Sequence, residues 1–168
     1  MARVEKKLVL VSQENETLET VALKLAAYVL FFAQNPILDI SLKHPAVSDQ
    51  EFKPDLLALD DSGAIRLWIE CGNVTTHKLN KLIRRYRNAR LVVLKGKIHE
   101  AGNLRRALQK NDIANSERIE IWSFPDERFG EWLEVFERDS VEIIGEPSEK
   151  SFNLVANSIL FNFDFVTL

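Results

Sequence analysis

The sequence predicts a mixed α/β fold, a central β-sheet flanked by helices, and three observations carry that expectation. Two apolar runs, 55–59 and 65–71, are separated by Asp60-Asp61-Ser62-Gly63-Ala64, the kind of Asp/Ser/Gly cluster that closes a β-hairpin. From Ile65 to Phe124 the apolar period then alternates in the order strand, helix, strand, helix, strand, which right-handed crossovers turn into parallel pairing. A chain of 168 residues with 46% hydrophobic and 28% charged side chains suffices for one core, so a single domain over 1–168 is expected. The sheet should be antiparallel at the hairpin and parallel beyond it.

The elements follow in order. Leu8 opens a short β-prone run, 8–11, and Asn15 is a candidate cap for a helix over 16–33, which Pro36 prevents from continuing. Residues 37–42 read as a strand and 43–53, polar and carrying Pro45, as a loop. After the hairpin, Leu79, Leu82, Ile83 and Tyr86 recur at helical spacing, so 75–88 is an amphipathic helix with a basic outer face, capped by Thr75 or Thr76. Residues 90–95 make a buried strand, 100–109 a helix and 117–124 a strand. A last helix over 126–138 presents Phe129, Trp132, Leu133 and Phe136, and the alternating tail 140–163 is expected to add one or more edge strands.

Composition narrows the setting. The lone cysteine, Cys71, can form neither an internal disulfide nor a zinc cluster, no secretory signal pattern opens the chain, and a reducing cytoplasm is the expected location. The longest apolar run, 21–33, is interrupted by Lys24 and is too short for a bilayer core, so no membrane partner is expected. A net charge of -3 argues against a protein that coats nucleic acid, yet the charge is segregated. Residues 78–110 hold eleven basic side chains and one acid, whereas acids outnumber bases thirteen to four over 112–168. Either the two segments neutralise one another across the fold, or a local basic surface meets a polyanion.

The hairpin arithmetic brings two carboxylates together. With a turn centred between Ser62 and Gly63, Asp55 lies opposite Glu70; a two- or four-residue loop gives the same pairing and a three-residue loop shifts it by one. Opposed Cβ atoms are about 4.5–5.5 Å apart, and two like charges there repel. Their neighbours on that face, Leu57, Leu59, Arg66 and Trp68, are mostly apolar, which raises the cost of unpaired charge. One remedy is a hard divalent cation, Mg²⁺ or Mn²⁺, which takes one or two protein carboxylates and keeps several waters. The other leaves Asp55 at a solvated strand end and gives Glu70 a partner in Arg66 or a lysine. Glu19 aligns with the apolar stripe Ala22, Leu23, Ala26 and Leu30, although an acid in a first helical turn also interacts with the helix dipole. Lys81 falls on the basic face of the helix after Glu70. Cys71 could serve as a nucleophile, but His77 is its nearest histidine in sequence, and an inert buried thiol is the simpler reading.

Glu16-Thr17-Leu18-Glu19 opening an apolar helix, Pro54-Asp55-Leu56, Leu67-Trp68-Ile69-Glu70-Cys71-Gly72, Lys81 and the strand Ile121-Trp122-Ser123-Phe124, taken in this order, resemble YaeQ family proteins from about Leu8 to the C-terminus. The resemblance implies a restriction-endonuclease-like, PD-(D/E)xK nuclease-like core, in which a Pro-Asp and an acid-x-Lys on neighbouring hairpin strands hold a catalytic metal. It implies Asp55 and Glu70 as ligands, the carbonyl of Cys71 as a third, and Glu19 as the acid from the first helix. Gly72 stands where such nucleases carry lysine, and Lys81 is the implied substitute from the following helix. Before Leu8 the chain is shorter than the family pattern and lacks most of its strand region there, so one edge of the sheet, or a homodimer contact, is expected to be missing.

On this reading Mg²⁺ or Mn²⁺ at Asp55 and Glu70 would bind a phosphate oxygen, with Glu19 orienting the attacking water and Lys81 stabilising charge on phosphorus. Basic residues of that helix, among them Lys78, Arg84 and Arg85, would hold the flanking nucleic-acid backbone. The alternative is a non-catalytic protein of the same fold that binds nucleic acid or a protein partner.

Overall fold

The computed structural model describes residues 7–10, 12–138, 140–146 and 148–168. Among these residues β1 (Ile37–Leu38), β2 (Leu56–Leu59), β3 (Ile65–Cys71), β4 (Arg90–Lys95), β5 (Ile119–Ser123) and β9 (Val166–Thr167) form one sheet in the order β1-β2-β3-β4-β5-β9. Pairing is antiparallel from β1 to β3, parallel from β3 to β5 and antiparallel again at β9, the mixed sheet that the sequence pattern predicts. The crossovers are α2 (Thr76–Arg85) and α3 (Ile98–Lys110). They pack Leu79, Leu82, Ile83, Leu104 and Leu108 over Trp68, Leu91, Val93, Ile119 and Ile121 on one face. No helix among the described residues is long and apolar enough to cross a membrane.

The other face carries α1 (Leu18–Leu30), and α1 is buried on nearly every side, from Ala22 to Tyr28 and at Leu30. Its cap is Thr17, whose hydroxyl accepts from the Thr20 N–H, rather than Asn15, which stands at φ +66°. The burial is explained by what lies beyond it. The indole N–H of Trp132, on α4 (Arg128–Glu134), donates to the Ala22 carbonyl at 2.9 Å, and α4 is covered in turn by a second sheet. That sheet is the main departure from expectation in the tail. Instead of extending the central sheet, β6 (Ile143–Gly145), β7 (Ser151–Ala156) and β8 (Ile159–Asp164) pair with one another as a separate three-stranded sheet, and β9 joins the main edge. Phe152 and Phe161 turn inward to Trp132, and Phe124, Phe129, Phe163 and Phe165 complete the aromatic cluster. A helix as apolar as α1 needs cover on both sides, which one sheet cannot supply.

Three other expectations change. Leu8 to Leu10 form no strand, and Val11 lies outside the described residues. The strand expected over 37–42 stops after two residues because Asp39 takes φ +47°. The helix expected over 126–138 is α4 followed by a single 3-10 turn, Val135–Glu137.

The close packing of β4 against α4 gives a direct test. A Cβ built on Gly96 would lie 2.3 Å from Cδ1 of buried Phe129. Gly96→Ala should therefore destabilise by about 1–3 kcal/mol, as overpacking does. In thermal melts the Gly96→Ala/Phe129→Ala pair should lose less than the sum of its single changes, and strict additivity would exclude the clash.

Candidate functional site

The hairpin register results from two compensating irregularities. Asp60 N–H donates to the Ala64 carbonyl at 2.8 Å, so the loop has three residues and would by itself shift the pairing by one. A bulge between Ala58 and Leu59 restores it, giving Leu56 opposite Ile69 and Leu57 opposite Trp68. Extended by one residue, this register sets Asp55 beside Glu70. The Asp55 N–H donates to the Ile69 carbonyl at 3.2 Å, and the Cys71 N–H donates 2.7 Å to Asp55 Oδ2, so the carboxylate continues the ladder where the β2 backbone has ended.

Glu70 is 4% exposed. Its Oε1 accepts from the Trp68 indole N–H at 2.7 Å and from Lys78 Nζ at 2.7 Å. Burial pushes its pKa up to about 7, Asp55 adds to the push, and Lys78 and Trp68 oppose it. Burial likewise raises Asp55, against the pull of the Cys71 N–H, Lys24 and Lys78. Lys78 sits in the first turn of α2, where its own N–H is accepted by the capping Thr75 hydroxyl, and its ammonium also reaches the Lys53 carbonyl and the face of Phe52. The lysine on Glu70 is thus Lys78. Lys81, one turn further, pairs instead with exposed Glu51 at 2.7 Å.

A second ammonium enters from α1. Lys24 is 3% exposed and contacts Glu16, Asp39 at 2.7 Å and Asp55 Oδ1 at 3.6 Å. Burial alone would lower its pKa, but the three carboxylates outweigh that and raise it above the ordinary lysine value. Glu16, just ahead of the helix, occupies the place expected for Glu19: it pairs with Lys24, whereas Glu19 is exposed. The signal for Lys24 was the one charge inside the apolar run 21–33, which reads as an interruption until its partners are known.

Gly72 has φ +83°, a conformation that a lysine there would adopt only under strain. An ammonium reaches the spot from the next strand: Lys95, 7% exposed, donates 2.6 Å to the Gly72 carbonyl, and burial lowers its pKa. The Cys71 thiol is buried, and burial holds its pKa well above the ordinary value, which removes the basis for a nucleophilic role. Arg84 and Arg85 are exposed at the far end of α2. Among the described residues no three His, Cys, Asp or Glu side chains form a group able to hold a metal ion by themselves.

A family model described as YaeQ protein matches residues 5–151. The crystal structure of a YaeQ protein from Xanthomonas axonopodis pv. citri is similar with a TM-score of 0.65 and 19% identity, over 95% of this chain and 85% of that one. The YaeQ protein from Pseudomonas syringae gives a TM-score of 0.60 and 18% identity, over 93% and 80%. At these identities the likeness extends to the fold. No curated protein matches the chain.

Proposed function

The chain belongs to the YaeQ protein family, and from that premise we propose that it hydrolyses phosphodiester bonds of nucleic acid with Mg²⁺ or Mn²⁺ held by Asp55 and Glu70, on a restriction-endonuclease-like core. The observation that carries this reading is a charge deficit at paired carboxylates. Among the described residues Asp55, Glu70, Glu16 and Asp39 meet Lys24 and Lys78 as their cationic partners, and a divalent cation is the counter-charge such a cluster can take. The donor set fits in chemistry and number: two hard carboxylates, with the Cys71 carbonyl on the same strand end, suit an ion that keeps several waters.

Bound there, the cation would supply Lewis acidity toward a non-bridging phosphate oxygen. The Cys71 N–H fixes Asp55, and Lys24 holds its other oxygen from the core side. Lys78, freed from Glu70, has the flexible stem to meet a phosphate oxygen. Lys95 anchors the Gly72 turn on which Glu70 depends, and the exposed basic residues of α2, including Lys81, Arg84 and Arg85, face the flanking polymer.

A second reading, a non-catalytic protein that binds nucleic acid or a protein, is favoured by one observation: Asp55 and Glu70 each already have an ammonium partner. Melting in chelator and in Mn²⁺ separates the two. At about a hundredfold excess over Kd the ion should stabilise the wild type by about 3 kcal/mol. Asp55→Asn, which keeps an acceptor for Cys71, should lose that gain together with metal-dependent cleavage of single- or double-stranded DNA or RNA. A wild type that gains nothing from millimolar Mn²⁺ and cuts none of these polymers supports the second reading.

A further inference from the structure

The basic segment is only partly neutralised by the fold. Lys78, Lys81 and Arg90 find Glu70, Glu51 and the pair Glu120 and Glu149. Arg84 and Arg87 form no ion pair with any described residue, and both line a cavity of about 490 Å³ together with Ile83, Ala114, Asn115 and Arg118. Three of the six lining side chains are guanidinium groups and none is a carboxylate.

The third guanidinium explains how an anion could be tolerated there. The cavity lies at the C-terminal end of α2, where free carbonyls carry partial negative charge and would repel an oxyanion. Arg118 cancels this: its terminal nitrogens donate to the carbonyls of Ile83 at 3.4 Å, Tyr86 at 3.2 Å, Arg87 at 2.7 Å and Ala89 at 3.5 Å. Its charge is held in place by the backbone, while Arg84 and Arg87 project beside it.

The location is separate from the carboxylate cluster. Lys78, in the first turn of α2, meets Glu70 near the C-terminal end of β3, whereas Arg118 joins the far end of α2 just before β4 and β5 begin. Ten helical residues, about 15 Å of α2, lie between the two ends.

We infer that this cavity is an oxyanion site that takes a phosphate group on Arg84 and Arg87, backed by Arg118. Guanidinium forks match phosphate oxygens in pairs, and the volume is that of a small-molecule pocket. The group belongs either to a free phosphate or phosphorylated small molecule, or to a phosphodiester backbone crossing the end of α2.

The test is a titration at fixed ionic strength, in chelator, of inorganic phosphate and separately of a short single-stranded oligonucleotide without terminal phosphate. The arginine Nε–H resonances are followed by NMR. Those of Arg84 and Arg87 should shift saturably, and the Arg84→Ala/Arg87→Ala protein should bind at least tenfold more weakly. Both side chains are exposed, so that variant should keep the wild-type spectrum elsewhere. Asp55→Asn should bind as the wild type does, whether or not the carboxylate cluster holds a cation. Saturation by phosphate identifies the free group as the ligand, and saturation by the oligonucleotide alone identifies the diester backbone. No saturable shift with either, or equal affinity in the double variant, overturns the site.

Discussion

Lys24→Met is expected to destabilise the protein by about 3–5 kcal/mol, the cost of removing one partner from a buried ionic cluster. At roughly 2–4 °C per kcal/mol for a chain of this size, its Tm should fall by about 10 °C. The cause is the three carboxylates left behind: the side chains of Glu16, Asp39 and Asp55 are only 8%, 18% and 23% exposed, and each loses the one ammonium they share. The pH dependence distinguishes this from lost packing. In the variant Asp55, already raised by burial, loses the ammonium that opposes that shift and holds its proton more tightly folded than unfolded, so the deficit should shrink as pH falls from 7 toward 5. The wild-type contribution, from a lysine whose folded pKa is raised, is complete below the unfolded lysine value and is lost only as pH rises through the folded one. Denaturant unfolding of both proteins at pH 5 and 7 measures the difference; a deficit below 1 kcal/mol, or one independent of pH, would mean that the cluster behaves like surface ion pairs.

The second large effect concerns Glu70. Its folded pKa is about 7 against an ordinary 4.5, so between those values the folded state binds more protons than the unfolded one and stability must decline as pH rises. Over that window the loss from this one group is roughly 3 kcal/mol. Glu70→Gln retains an acceptor for the Trp68 indole and cannot ionise. In chelator, the wild type should therefore lose about that much stability between pH 4.5 and 7.5 relative to the variant, whose carboxamide does not titrate. Parallel pH profiles would show that some other group titrates.

These expectations rest on features that were unequally legible in the sequence. The hairpin, both crossovers and the order of the mixed sheet followed from local periodicity, because a strand or an amphipathic helix advertises its buried face every two or every three to four residues. Asp55 beside Glu70 was reached by turn arithmetic that held for an unforeseen reason: a three-residue loop shifted the register and a bulge at Ala58 and Leu59 shifted it back. Segregated charge was visible too, and the fold neutralises part of it, at Lys78, Lys81 and Arg90.

The carboxylate cluster shows where that legibility ended. Helical spacing favoured Glu19, but a helix apolar on nearly every side has no single stripe from which an inward direction can be read. The central sheet on one side and α4 with the second sheet on the other define its surroundings, and Glu16 rather than Glu19 meets Lys24. The same limit applied to the tail, whose alternation marked strands without saying which sheet they join, and to the choice among Lys78, Lys81 and Lys95, since a lysine's reach is set by the element beneath it. The sequence by itself determined the hairpin, the two crossovers, the order of the strands they join and the presence of two carboxylates on one hairpin, because backbone periodicity and turn chemistry are local. Which ammonium groups those carboxylates meet, why Gly72 cannot be the lysine, and where the arginines gather were decided by the tertiary structure, because contacts between residues as far apart as Lys24 and Asp55, or Arg118 and the end of α2, depend on the packing of whole elements.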